Sequence, residues 1–203
     1  MAAVSSEPAA LAVLASAESS LQAKARACQE LGDVGGPKSI PALAALLNQE
    51  HLADYARSGL AGIKDPAAGA ALRKALPTLE GRYLSGVVNS LGVRREVAAV
   101  GDLQKLALDA KRGVAEEALA SLGMIGNGAA AKTLQKVLAD GPANLRVPAA
   151  HAALIAAELL AKDGQKGPAR DLLKAVVSGL PTGHLATAAQ RLAESLDAKP
   201  ATA

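Results

Sequence analysis

The sequence predicts an all-α fold, an α-solenoid in which antiparallel helix pairs stack into a superhelix of about twelve helices. Three observations predict it: leucines that recur at a near-constant interval, Ala-rich segments with a helical apolar period, and glycines and prolines between them. The last leucine of successive Ala-rich segments falls at Leu31, Leu60, Leu91 and Leu122, at intervals of 29, 31 and 31 residues. The first strong leucine after each break falls at Leu43, Leu72, Leu103 and Leu134, so each pair is held 12 residues apart. Leu160 and Leu172 repeat that offset after a longer interval of 38 residues. No segment carries a credible strand pattern.

The first element is PAALAVLASA, residues 8–17. It superficially resembles a signal-peptide core, yet no Lys or Arg precedes it and Glu7 does. Leu11 and Leu14 make it instead a helix of the second type in each pair, ahead of the first-type helix that carries Leu31. Each later unit reads as two helices. The first is expected to end at Gly32, Gly62, Gly92 or Gly123, because a left-handed glycine closes a helix without steric cost. Pro37 and Pro41, Pro66 and Pro168 fall near the starts of second helices, where a missing N–H is tolerated.

Each second helix shows one apolar face at i, i+3 and i+4: Leu43, Leu46, Leu47; Leu72, Ala75, Leu76; Leu103, Leu106, Ala107; Leu134, Val137, Leu138; Leu172, Ala175, Val176. Leu192, in ATAAQRLAESL, closes the series with a first-type helix. A hairpin of about 30 residues cannot bury its own apolar face, so the units must stack on one another. Residues 1–197 therefore read as a single solenoid domain and 198–203 as a flexible tail.

Half of the residues are hydrophobic, but Phe and Trp are absent and Tyr55 and Tyr83 are the only aromatics. Such a core must be built from Ala, Leu and Val, which lets helices approach closely. A net charge of +3 is too mild to imply a polyanion partner. Cys28 is the single cysteine, which rules out an intrachain disulfide; it fits a reducing compartment, but a lone buried thiol is equally at home in an exported protein, so the compartment stays open with the cytoplasm slightly favoured over the periplasm. No apolar run approaches the roughly 18 residues of a membrane span, so a soluble protein is expected.

The segments ARACQELGDVGGPKSIPALAALL, YARSGLAGIKDPAAGAALRKAL and EEALASLGMIGNGAAAKTLQKVL resemble HEAT repeats, in particular the short bacterial HEAT-like repeats also found in phycobilin lyases. The periodicity runs from about Pro8 to Leu196. The resemblance implies stacked helix pairs whose second helices line a concave surface, and it leaves function open because such repeats serve many roles. One departure stands out. The family places an Arg seven residues before the anchor leucine, where this chain has Lys24, Ala53, Leu84, Ala115 and Ala153. Apolar packing must then replace the family's electrostatic ladder.

Catalytic and metal motifs are poorly represented, so neither a cofactor nor a metal is expected. His51 and His184 sit near helix starts and His151 lies inside a helix, with no His-x-x-x-His or carboxylate spacing between them. Cys28, three residues before Leu31, points inward as a small hydrophobe. The stretch GDVGGPK resembles a phosphate loop only loosely, since no strand precedes it and no GK[ST] ends it. Glu116 and Glu117 are adjacent on a helix, diverge, and form no acid/base pair.

One arrangement rises above this background. Two positions beyond the second-helix leucines stand Ala45, Lys74, Lys105, Lys136 and Lys174. An offset of two from the anchor points away from the core, so the four lysines are expected to line up roughly 10 Å apart along the concave surface. The competing reading is that Lys and Gln are solvated helix formers copied by repeat duplication. A second patch, RYLSGVVNSLGVRRE, gathers Tyr83, Asn89, Arg94 and Arg95, of which Tyr and Arg are residue types common in interface anchors. Its competing reading is that Asn89 caps or bridges neighbouring backbone and the arginines flank a turn.

Together these readings point to a non-enzymatic scaffold that binds a protein with an acidic surface or segment. Nucleic acid is disfavoured because stacking aromatics are missing. Self-association through the ends of the array also fits. The resemblance supplies two rivals, a lyase or chaperone that holds a tetrapyrrole and a nucleic-acid-binding HEAT protein. The first would call for aromatic or histidine contacts and the second for a strongly basic cleft.

Overall fold

A computed structural model describes residues 6–197, and the expected tail at 198–203 lies outside the described residues. The described residues form twelve α-helices, three short 3-10 turns and no strand. The helices cluster into two compact units, Met1–Arg94 and Arg95–Ala203.

The N-terminal unit contains α1 (Glu7–Ala15), α2 (Leu21–Val34), α3 (Ser39–Ala44), α4 (Ala53–Gly62), α5 (Pro66–Ala75) and α6 (Gly81–Val93). Within it α2 packs on α1 and α4, α4 on α6, and α3 on α5. The C-terminal unit contains α7 (Val100–Leu108), α8 (Ala115–Ile125), α9 (Gly128–Asp140), α10 (Ala143–Lys162), α11 (Lys166–Gly179) and α12 (His184–Asp197). Here α8 packs on α7 and α10, α10 on α12, and α9 on α7 and α11. In both units first helices neighbour first helices and second helices neighbour second helices.

The leucine repeat is the core. Leu31, Leu43, Leu60, Leu72, Leu91, Leu103, Leu122, Leu134, Leu160 and Leu172 are all 0% exposed. Between them lie small residues such as Ala56, Ala68, Ala118 and Ala153, also fully buried. Of the five residues that stand seven positions before an anchor leucine, Ala53, Leu84 and Ala153 are buried as apolar side chains. Burial of each large side chain contributes about 1.5–3 kcal/mol, and the short Ala side chains let the helices close the gaps.

Local signals set the helix starts. Ser20 accepts a hydrogen bond from the Ala23 N–H at 3.2 Å, and Asn127 accepts one from the Ala130 N–H at 2.8 Å. Asp65 caps α5 in the same way, with Pro66 in the first turn. The short α3 is different. It has no side-chain cap of its own, and Glu7 of α1 accepts from the Gly36 N–H at 2.8 Å and from the Ser39 hydroxyl at 2.7 Å. Those two bonds, the Ser39 one foremost, hold the Glu7 carboxyl below its ordinary range.

Two expectations need correction. Leu46 and Leu47 do not continue α3, which ends at Ala44 and gives way to tighter turns in which Leu46 N–H bonds Leu43 O and Leu47 N–H bonds Ala44 O. Nor are Gly32, Gly62, Gly92 and Gly123 left-handed caps. All four lie within α2, α4, α6 and α8, and none has a positive φ. The left-handed glycine that closes α8 is Gly126, at φ +60°.

The earlier glycines have a different physical role, which is close approach of helices. A Cβ on Gly62 would lie 2.6 Å from the Gly32 carbonyl oxygen, and one on Gly123 would lie 2.7 Å from Ala152 O. Gly59 faces the Cys28 carbonyl even more tightly. The missing side chains let α2 meet α4, and α8 meet α10, nearly backbone to backbone.

Candidate functional site

The lysine positions follow directly from the buried leucines. Lys105, Lys136 and Lys174 each stand two residues beyond an anchor of 0% exposure, and all three are exposed on α7, α9 and α11. Because α9 packs on both α7 and α11, the three belong to neighbouring helices of one unit. Lys132, one turn before Lys136 on α9, is also exposed and was not singled out by the repeat. Lys174 lies 3.9 Å from Asp171, with both side chains mostly in solvent, so screening leaves that pair little influence. Lys74 holds the equivalent place on α5 of the N-terminal unit and is exposed there.

The Tyr83, Arg94 and Arg95 patch does not act as one group. Tyr83 is half-buried and covered by Arg82, whose guanidinium lies 4.6 Å from the ring centre. Arg82 also donates to Tyr83 Oη at 3.0 Å, to Glu50 O at 2.9 Å and to Asp54 Oδ2 at 3.3 Å. Tyr83, by its hydrogen bond first and its charge interaction second, raises the Arg82 pKa, and the Asp54 and Glu50 carboxylates add to the shift. Sequence reading named Tyr83 but passed over Arg82, because only the folded α4 and α6 bring Glu50 and Asp54 to it.

Arg94 serves the end of α4. Its Nη1 donates to Leu60 O and Ala61 O at 3.0 Å each and to Ile63 O, and Nη2 donates to Asp65 O at 3.2 Å. These include carbonyls that a helix C-terminus leaves without partners, and the cation suits the negative end of the helix dipole. Arg94→Ala is expected to lower the unfolding free energy by about 1–3 kcal/mol, with Arg94→Lys recovering part of it. Urea denaturation checks this; an Ala variant as stable as wild type would show that water satisfies those carbonyls equally well.

Arg95 is the one non-glycine residue among those described with a positive φ, +51°. It donates to Ile125 O at the end of α8 at 3.2 Å and lies 3.9 Å from Asp163. Lys166 similarly reaches Leu196 O of α12 at 3.0 Å. Cations at helix C-termini thus recur. A sequence shows the arginines and lysines but not which carbonyls they will meet.

The other chemistry-bearing residues are placed as follows. Cys28 is fully buried, and burial pushes its thiol up to about 11, where little thiolate exists at neutral pH. The GDVGGPK stretch ends α2, and its Gly36 N–H is taken by Glu7. An open groove of about 770 Å³ runs beside it, lined by Gly32, Asp33, Gly35, Gly62, Lys64 and Asp65 among others. His51 is exposed before α4. His151 and His184, which the spacing kept apart, come together with ring centres 6.2 Å apart. Among the described residues no group of three or more His, Cys, Asp or Glu could hold a metal ion, and no helix is long and apolar enough to cross a membrane.

No known family model matches the chain, and no curated protein shows significant similarity to it.

Proposed function

We propose that this chain is a non-catalytic binding or scaffold protein, a HEAT-like α-solenoid that recognises an acidic segment of another protein. The observation that carries this reading is the shared register of Lys105, Lys136 and Lys174. Each is exposed two residues beyond a fully buried leucine, on three helices that pack in succession. Lys74 repeats the position in the N-terminal unit. Cations that share one register on successive helices suit an extended acidic chain, which can follow them without a deep pocket. The buried, poorly ionised Cys28 thiol agrees with binding rather than covalent chemistry.

The test uses a fluorescent glutamate-rich peptide and an oligonucleotide of equal charge, each titrated in low salt by anisotropy. Wild type should bind the peptide, and Lys105, Lys136 and Lys174 changed together to Glu should weaken that binding by about tenfold or more. Circular dichroism confirms that the variant remains helical. Equal peptide binding by both proteins would remove the lysines from the reading. Tighter, steeply salt-dependent binding of the oligonucleotide would replace the acidic protein with nucleic acid.

A further inference from the structure

Two of the three histidines in this chain meet on the C-terminal unit. His151 projects from α10 and His184 opens α12, two helices that pack together. Gly183, at φ +100°, turns the chain into α12 immediately before His184. Both imidazoles are exposed, with ring centres 6.2 Å apart and planes inclined by 48°. We propose that His151 and His184 form a two-imidazole site for a divalent transition-metal ion of the Zn²⁺, Ni²⁺ or Cu²⁺ class, with water completing the coordination shell.

The distance supports this chemistry. On a tetrahedral ion with metal–nitrogen bonds of about 2.1 Å, two imidazoles hold their ring centres roughly 5–5.5 Å apart. The observed 6.2 Å is about 1 Å wider, a gap that rotation of two exposed side chains can close. Imidazole nitrogen selects Zn²⁺, Cu²⁺ and Ni²⁺, whereas Ca²⁺ and Mg²⁺ require oxygen donors. The exposed α10 residues one turn to either side of His151 are Val147 and Ile155, which supply none. No third protein ligand completes a closed site among the described residues. The ion is therefore open to water and held only by the gain from two ligands on packed helices.

Zn²⁺ titrated into tag-free protein by calorimetry, in a buffer that does not chelate metals, tests the proposal. Wild type should take up one ion per chain. His151→Ala and His184→Ala should each weaken binding by about tenfold or more, because each leaves a single ligand. His51→Ala should bind as wild type does. Imidazole NMR signals of His151 and His184 should both respond to Zn²⁺ while those of His51 do not. Single variants that bind as tightly as wild type, or a response at only one of the two rings, would overturn the shared site.

Discussion

Leu134→Ala is expected to destabilise the protein by about 2–5 kcal/mol, while Lys136→Ala two residues away should change stability by no more than about 0.5 kcal/mol. Leu134 is 0% exposed on α9, and Lys136 is exposed on the same helix. Removing the leucine forfeits the transfer free energy of its methyl and methylene groups and leaves a cavity. The surroundings can refill it only in part, because neighbouring small residues such as Ala130 are themselves buried and have no length to extend. Urea denaturation of both variants measures the contrast. Similar losses at the two sites would mean that the leucine register is not what orients the helix.

Gly123→Ala should also destabilise, by about 1–3 kcal/mol, although Ala favours a helix interior over Gly by about 1 kcal/mol. The sign is decided by space. A Cβ at residue 123 would stand 2.7 Å from Ala152 O, 2.8 Å from Ala152 Cα and 2.9 Å from Ala152 Cβ. Backbone and a side chain of one carbon cannot swing aside, so α8 and α10 would have to separate. Gly101, on α7, provides the opposite case. Nothing lies within 4 Å of a Cβ built there, and Gly101→Ala should stabilise by up to about 1 kcal/mol through helix propensity. Thermal and urea unfolding should therefore move in opposite directions for the same chemical change. Stabilisation by Gly123→Ala would show that the two helices can part at no cost.

The legibility of the chain divides along the same line. The repeat of leucines named the ten fully buried anchors, because a helical period fixes which face each side chain takes whatever the helix later touches. It also placed the lysines outward, by their offset of two, and set Cys28 inward. The glycines were misread for a related reason. A glycine directly after an apolar anchor looks like a helix end when one strand of sequence is considered alone, yet Gly32 and Gly123 continue their helices. The available signal was a small residue following each anchor, Gly32, Ala61, Gly92, Gly123 and Ala161, which marks a contact line rather than a stop.

The sequence by itself determined the helical class, the number of helices and the inward and outward faces, since these follow from the spacing of residues along a single helix. Only the tertiary structure decided that Arg94 would hold the end of α4 and Arg95 that of α8. It alone brought Glu7 to Gly36 and Ser39 and set His151 beside His184. Each of those pairings joins residues far apart in the chain, and their meeting depends on how one helix docks against another, which no local period encodes.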